Sequence, residues 1–186
     1  MLRSRIMISL AAACLPFAAS AADLELNVSD EAFELRYAAA PSSAGAQVDY
    51  GILHQEDDVY IGHLGLHLVD NAGTQRKPVR VGLGGRLVFA ETDPASGAAL
   101  AIGAWARFNI PGADRFAVSG SIYAAPEVTS FADMEKFMQF SIRGEYEVLR
   151  NASIYLGYRR VRADFDVTSR SVTLDKGLHL GMKFNF

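Results

Sequence analysis

The sequence predicts an all-β protein, a transmembrane antiparallel up-and-down β-barrel of ten strands. Three observations indicate this fold class. Apolar and polar residues alternate with a period of two through almost the whole chain after residue 21. No segment in that part has the roughly 20 consecutive apolar residues of a membrane helix, although 50% of all residues are hydrophobic. Many alternating segments are near the ~9–11 residues that a tilted transmembrane strand requires.

The first residues have the composition of a cleaved signal peptide, which we place at residues 1–21. Arg3 and Arg5 form a basic start, an apolar stretch follows, and Ala19-Ser20-Ala21 supplies the small residues of a cleavage site. We therefore expect residues 22–186 to form the mature barrel domain.

Cys14 is the only cysteine of the chain. It could be the lipidated residue of a lipoprotein signal, but Ala11 stands where a larger aliphatic residue is usual, so cleavage after residue 21 is favoured. A mature chain without cysteine suits export through an oxidising compartment. The chain carries 18 Lys and Arg against 21 Asp and Glu, a net charge of −3, and loss of Arg3 and Arg5 makes it −5. This balance argues against nucleic acid as a partner.

The alternation defines eight strands that begin near Gln47, and the hairpin LELNVSDEAFELRY adds two shorter strands before them. The apolar rows of the eight strands are 48–52, 60–68, 79–89, 98–110, 116–122, 138–148, 154–158 and 178–186. Both eight and ten are even, as a single-chain barrel with both termini on one side requires. We expect ten strands, and the alternative is eight with the first hairpin tucked against a rim. The only hint of a helical turn is at 131–136.

Two hairpins predict the register. A two-residue turn at Asp30-Glu31 places Glu25 opposite Arg36, and the apolar Leu24, Leu26 and Val28 opposite Tyr37, Leu35 and Phe33. A three-residue loop, Leu149-Arg150-Asn151, places Val148, Tyr146 and Ile142 opposite Ala152, Ile154 and Tyr158. Both arrangements match apolar faces with apolar faces.

The same alternation could belong to a soluble lipocalin-like barrel, whose apolar rows line an internal cavity. We favour the membrane barrel because the uncharged row from Ala98 to Ile110 persists across a crossing, where an arginine at mid-membrane would cost roughly 2–4 kcal/mol. The amphipathic last strand carries Phe184 and Phe186, which we expect to form a membrane-insertion signal. The charged rows then line the lumen with Asp49, Arg80, Arg86, Arg107, Arg143, Glu145, Glu147, Arg159, His179 and Lys183.

In so narrow a barrel these charges are expected to fill the lumen and pair with one another as a structural network. The porin-like alternative is an arginine-rich lining that favours anions in a thin channel. An outer-membrane enzyme acting on lipid A or phospholipid is a further alternative, since His179 and Asp175 face inward. No serine lies two residues away, as in lipid A deacylase barrels, and no G-x-S-x-G occurs, so we predict no enzyme and no catalytic residues.

The remaining alternatives concern loops and metals. A loop-mediated adhesin would use the longest candidate loops, 91–97, 126–136 and 166–176. His63 and His67 share a face but lie ~13 Å apart along a strand, too far for one ion. A weak divalent-cation site at His54 and residues 56–58 is the alternative to a solvated acidic turn. We predict no metal and no cofactor.

Four segments carry a family resemblance: LELNVSDEAFELRY, VDYGILHQEDDVYIGHLGLH, IYLGYRRVRADFD and GLHLGMKFNF. With them the sequence resembles the YfaZ family of Gram-negative outer-membrane proteins over essentially the whole mature chain. The resemblance implies a small outer-membrane barrel, sometimes described as porin-like, and supplies no active-site residues. We expect a monomer in the bacterial outer membrane, exported by a cleaved signal peptide. Its expected partners are outer-membrane lipid, lipopolysaccharide and, during biogenesis, the barrel-insertion machinery.

Overall fold

The computed structural model describes residues 22–56, 58–74, 79–92, 95–166 and 170–186. The predicted signal peptide, residues 1–21, and Asp57 of the predicted acidic turn lie outside these ranges. The strands are β1 (Ala22–Val28), β2 (Ala32–Ala39), β3 (Ala46–Gln55), β4 (Val59–Asn71), β5 (Val79–Glu91), β6 (Ser96–Asn109), β7 (Phe116–Ala125), β8 (Ser130–Ala132), β9 (Met134–Leu149), β10 (Ala152–Phe165) and β11 (Arg170–Asn185). A short 3₁₀ helix spans Glu127–Thr129.

Ten of these strands close into one antiparallel barrel. Each strand pairs with its neighbour along the chain, except that β7 pairs with β9. The barrel closes between β1 and β11, where Asp23 lies opposite Asn185 and Val28 opposite Leu180. The three-residue β8 stays outside this ring and pairs only with β6. The prediction of ten strands is confirmed, and the N-terminal hairpin is part of the wall rather than a tucked segment.

The predicted register is confirmed for the first hairpin and for most of the second. Val28 lies opposite Phe33 and Glu25 opposite Arg36, as the alternation requires. In the second hairpin Tyr146 lies opposite Ile154, but Ala152 pairs with Leu149 rather than with Val148. The predicted Val148–Ala152 pair was wrong because a β-bulge between Ala152 and Ser153 shortens the turn to residues 150–151.

Two further local predictions need correction. The residues at 131–136 belong to β8 and β9, and the helical turn lies just before them at 127–129. The candidate loops are also shorter than expected, because β6 already begins at Ser96 and β11 at Arg170. When the strands extend further, more backbone N–H and C=O groups form hydrogen bonds between strands, and fewer depend on water.

The exterior of the barrel is apolar, as predicted for a transmembrane barrel. Outward residues at the middle of the strands are exposed without any polar neighbour in their row, for example Leu66 at 60%, Ile102 at 69% and Leu180 at 61%. A soluble lipocalin-like barrel would place its apolar rows inside and its polar rows outside, so this alternative is excluded. Among the described residues no helix has the length and apolar content of a membrane span.

The two ends of the barrel differ. We call the end where Ala22 and Phe186 exchange backbone hydrogen bonds the termini end. The turns of the other end, which we call the distal end, connect β1 to β2, β3 to β4, β5 to β6, β7 to β9 and β10 to β11. In a single-chain outer-membrane barrel with an even number of strands, the termini end faces the periplasm.

Candidate functional site: the filled lumen

The lumen has two zones, and the alternation along each strand determines which side chains enter them. Along β10 the inward residues run from Ser153 and Arg159 near the termini end to Val161 and Phe165 near the distal end. The same change from polar to apolar occurs on β5, where Arg86 is followed by Val88. A charged zone therefore fills the lumen toward the termini end, and an apolar zone fills it toward the distal end.

Asp49 of β3 is the centre of one charged cluster and is only 1% exposed. Its Oδ2 accepts hydrogen bonds from Arg86 Nη2 at 2.8 Å, His63 Nε2 at 3.1 Å and Arg36 Nε at 3.3 Å. His67 Nδ1 lies 2.9 Å from Oδ1, although the two atoms are not aligned as a hydrogen bond. A buried carboxylate with two guanidinium partners is compensated both in charge and in hydrogen bonding.

Arg143 of β9 is the centre of the second cluster. Its two terminal nitrogens donate to both carboxylate oxygens of Glu25 at 2.8 and 2.9 Å, a bidentate pair. Its Nε donates to Glu145 Oε1 at 2.9 Å, and Glu145 also accepts from Arg107 Nε at 2.9 Å and from the Ser119 hydroxyl at 2.6 Å. The Arg143 guanidinium thus joins two buried carboxylates that lie on different strands.

Arg36 of β2 connects the two clusters, because its Nη1 also lies 3.5 Å from Glu25 Oε2. The result is one continuous ion-pair network across the barrel, formed by Arg86, Asp49, Arg36, Glu25, Arg143, Glu145 and Arg107. These seven side chains belong to β5, β3, β2, β1, β9 and β6. The network therefore ties together strands that do not pair with each other in the wall.

A separate cluster surrounds Arg159 of β10. Its Nε donates to Asp175 Oδ2 at 2.5 Å, and its Nη1 donates to Glu34 Oε2. Asn27 donates to the same Glu34 oxygen at 2.6 Å and accepts from Arg159 Nη1 at 3.3 Å. Asp175 faces inward on the same alternation as His179 and Lys183, and it lies opposite the inward Val161. The cluster links β10, β11, β2 and β1 where the barrel closes.

All ten residues predicted to line the lumen lie on inward positions. Asp49, Arg86, Arg107, Arg143, Glu145 and Arg159 belong to the clusters described above, and Lys183 pairs with Asp23 at 3.1 Å near the rim. Arg80 packs its guanidinium 5.7 Å from the Trp105 ring centre, and His179 packs edge-on against Tyr155. Within the described residues, neither Arg80 nor Glu147 forms an ion pair. Whether these residues act as a structural network or as a channel lining stays a prediction.

Inward glycines provide the space that these large side chains need. A Cβ at Gly65 would lie 2.3 Å from Asp49 Oδ1, and a Cβ at Gly103 would lie 2.3 Å from Tyr123 Cδ1. Both distances are far below contact, so any larger residue would displace the buried group. The glycines on the inward rows are therefore part of how the lumen is filled.

The charged zone is balanced. Its basic side chains are Arg36, Arg80, Arg86, Arg107, Arg143, Arg159 and Lys183, and its acidic side chains are Asp23, Glu25, Glu34, Asp49, Glu145, Glu147 and Asp175, seven of each. The free volume between them near the termini end is about 50 Å³. A cavity of this size holds a few water molecules.

The apolar zone at the distal end, which we call the apolar plug, was not predicted from the sequence. It consists of Ala32, Leu53, Val59, Ile61, Val88, Ala90, Ala95, Ala99, Ala101, Tyr123, Ala125, Met134, Phe137, Val161, Ala163, Phe165 and Leu174. The largest members, Tyr123, Phe137 and Phe165, are 0–2% exposed. A signal was present in runs such as Leu87–Ala90 and 123–125, where both faces of the strand are apolar instead of one.

The plug and the cluster around Asp49 meet at Tyr123. The Tyr123 hydroxyl and His67 Nε2 lie 2.9 Å apart, and Arg86 places its guanidinium 4.0 Å from the Tyr123 ring centre. His63 and His67 both approach the Asp49 carboxylate, and no group of three or more potential metal ligands occurs in the described part of the chain. His54 stacks on Tyr60 at 4.5 Å, on the outer face.

A family model and several solved structures match this chain. The family model described as "YfaZ precursor" matches residues 2–186. Among solved structures the chain is similar to a KdgM porin in complex with disordered oligogalacturonate, at 8% identity, over 89% of this chain and 99% of that one, with a TM-score of 0.45. It is also similar to a NanC porin, at 7% identity, with the same coverages and a TM-score of 0.46. No curated protein matches the sequence.

Proposed function

The chain belongs to the YfaZ family, and we propose that it is a resident protein of the bacterial outer membrane whose lumen is closed, so that it serves a structural role and not as a diffusion channel. The observation that supports this most directly is the apolar plug. Tyr123, Phe137 and Phe165 pack together inside the barrel with almost no exposed surface. A hydrated ion crossing this layer would lose its water shell without any polar group to replace it.

The charged zone supports the same proposal. An anion-selective channel would need an excess of basic groups facing open space, whereas the zone has seven basic and seven acidic side chains, most of them paired. Conduction through it would require breaking contacts such as the bidentate Arg143–Glu25 pair. The narrow porin-like function remains the alternative, and it would require Arg86 and Tyr123 to move aside.

Two features support the proposed location, the signal peptide and the apolar outer face of the barrel. Residues 1–21 have the composition of a cleaved signal peptide, and the outward rows of the barrel are apolar along their central part. Closed barrels with this arrangement occur in outer membranes. We propose export by the signal peptide, assembly by the barrel-insertion machinery through Phe184 and Phe186, and a monomeric state in outer-membrane lipid.

An enzyme or an adhesin is less well supported. A carboxylate, an imidazole and a hydroxyl lie in sequence at Asp49, His67 and Tyr123, and all three residues are 0–1% exposed. No substrate could reach a group so deeply buried. The described distal turns are short, which leaves little loop surface for an adhesin. Mass spectrometry of lipid A from cells with and without the protein checks the first point, and an altered acyl pattern would indicate an enzyme.

Planar-bilayer conductance tests the proposal. The refolded mature protein is expected to give no discrete current steps. The variant Phe137→Ala/Phe165→Ala, which removes two large side chains of the apolar plug, is expected to give at least intermittent steps. Its control is Leu100→Ala/Ile102→Ala, which removes apolar volume from the outer wall and should stay silent. Discrete, anion-selective steps from the unmodified protein would contradict the closed lumen and favour the porin-like alternative.

A further inference from the structure

On the strands with described side chains, basic residues that face outward are grouped at one place. Most lysines and arginines on strands with described side chains face the lumen. The exceptions are Lys136 on β9, Arg160 and Arg162 on β10, and Lys176 on β11. These three strands are consecutive in the wall, and the four side chains lie toward the distal end. We call this group the basic patch.

The basic patch has no protein partner that would explain it. Arg160 lies directly opposite Lys176, and like charges in directly opposed positions destabilise a sheet. Asp164 lies opposite Lys136, but none of the four basic residues forms an ion pair within the described residues. The Arg160 Nε atom is buried without a hydrogen-bond partner. An anion from outside the protein would compensate the charges that the described protein groups leave without an ion pair.

The position of the patch indicates what kind of anion this is. Toward the termini end, the next outward residues on β10 and β11 are the apolar Tyr158 and Leu178, which lie opposite each other. Charged side chains on the lipid face cost little only near the interface, about 0–1 kcal/mol there against roughly 2–4 kcal/mol at the midplane. The patch therefore lies at the level of lipid headgroups, in the leaflet at the distal end. Guanidinium groups are well suited to phosphate oxygens, which they bind in bidentate geometry.

A lipid-facing hollow lies beside the patch. Its volume is about 640 Å³, and it lies on the outer wall of β5, β6, β7 and β9. Small residues, Ala104, Ala106 and Gly120, form its floor, and Phe140 lines its edge. Phe140 lies directly opposite Arg160, so the hollow and the patch are contiguous. An anionic headgroup at the patch would place an acyl chain over this hollow.

We propose that the basic patch binds the phosphate groups of lipopolysaccharide and that one acyl chain of this lipid occupies the neighbouring hollow. The inference rests on the proposed outer-membrane location, in which the distal end faces the outer leaflet. It does not depend on whether the lumen is closed. Lipopolysaccharide fits better than a phospholipid because its two phosphates can be shared among four basic groups spread over three strands.

Native mass spectrometry of the refolded protein in neutral detergent measures this binding, with bis-phosphorylated lipid A as the probe. The quadruple variant Lys136→Gln/Arg160→Gln/Arg162→Gln/Lys176→Gln is expected to bind at least tenfold more weakly than the unmodified protein. The matched control, Arg115→Gln/Arg150→Gln, removes two charges from turns at the termini end and should bind as the unmodified protein does. Equal binding by the quadruple variant would overturn the proposal.

Two comparisons with the unmodified protein do not depend on the variant folding. Dephosphorylated lipid A is expected to bind at least tenfold more weakly, and equal binding would overturn the proposal. Phosphatidylglycerol is expected to compete poorly, and competition as strong as that of lipid A would overturn the assignment to lipopolysaccharide. Channel conductance, or an inner-membrane location in cell fractions, would contradict the proposed function. The binding measurements use purified protein and lipid, so their outcome is independent of both results.

Discussion

Replacement of Asp49 by asparagine tests the energetic importance of the ion-pair network. The amide keeps the size of the side chain but removes the charge that compensates two guanidinium groups. Arg36 keeps Glu25 at 3.5 Å, whereas Arg86, itself 4% exposed, loses the only carboxylate with which it pairs in the described residues. Removing one partner of a buried ion pair costs about 3–5 kcal/mol. We therefore expect the free energy of unfolding to fall by about this amount.

Urea unfolding in lipid vesicles, followed by the fluorescence of Trp105 and by the heat-dependent mobility of the folded barrel on gels, measures the change. The matched control is Asp23→Asn, the same substitution in a pair with Lys183 whose carboxylate side chain is 23% exposed. Such a pair near the surface contributes about 0–1 kcal/mol. A second variant, Asp49→Asn/Arg86→Met, removes the uncompensated charge and should recover part of the loss. Equal losses for Asp49→Asn and Asp23→Asn would contradict a larger contribution from the buried ion pairs of Asp49.

Three further variants test the wall, the packing of the lumen and assembly. Leu66→Arg places a charge on the outer face, where we expect a loss of roughly 2–4 kcal/mol in unfolding free energy, against a small loss for Leu66→Ala; equal losses would contradict a lipid-facing position. Gly103→Val forces a side chain against Tyr123. We expect the free energy of unfolding to fall by about 1–3 kcal/mol, or no folded barrel on heat-shift gels. The control Gly62→Val should be tolerated, because the added atom meets nothing within 4 Å. Phe186→Ser is expected to lower the folded amount in cell outer membranes with little effect on refolding in vitro, and normal assembly in cells would contradict the proposed insertion signal.

The fold was predictable because burial in a barrel wall imposes a strict period of two. A register slip by one residue would turn every charged side chain toward lipid, so the sequence must repeat the same order on each strand. The pairing of Glu25 with Arg36 and of Val28 with Phe33 follows from that order alone. Local irregularities are different, since a bulge such as the one beside Ala152 leaves no mark in the alternation.

The inward residues were predictable by position but not by partner. Alternation places Glu25 and Arg143 inside, yet their bidentate pair joins residues 118 apart in sequence, across the closed barrel. Such contacts depend on barrel diameter and strand stagger, which the alternation does not define. The apolar plug was missed for a related reason. Where both faces of a strand end are apolar, the outward residue, such as Phe89, indicates a lipid contact, but the inward residue, such as Val88, does not reveal what it packs against.

Quenching of tryptophan fluorescence by phospholipids with brominated acyl chains measures which rows of the barrel wall face lipid and which face the lumen. The chain has a single tryptophan, Trp105, whose inward ring packs near Arg80. The unmodified protein should show little quenching. The variant Trp105→Phe/Ile102→Trp moves the fluorophore to an outward position and should be quenched strongly. Strong quenching of Trp105 with weak quenching at position 102 would contradict the orientation of the barrel wall.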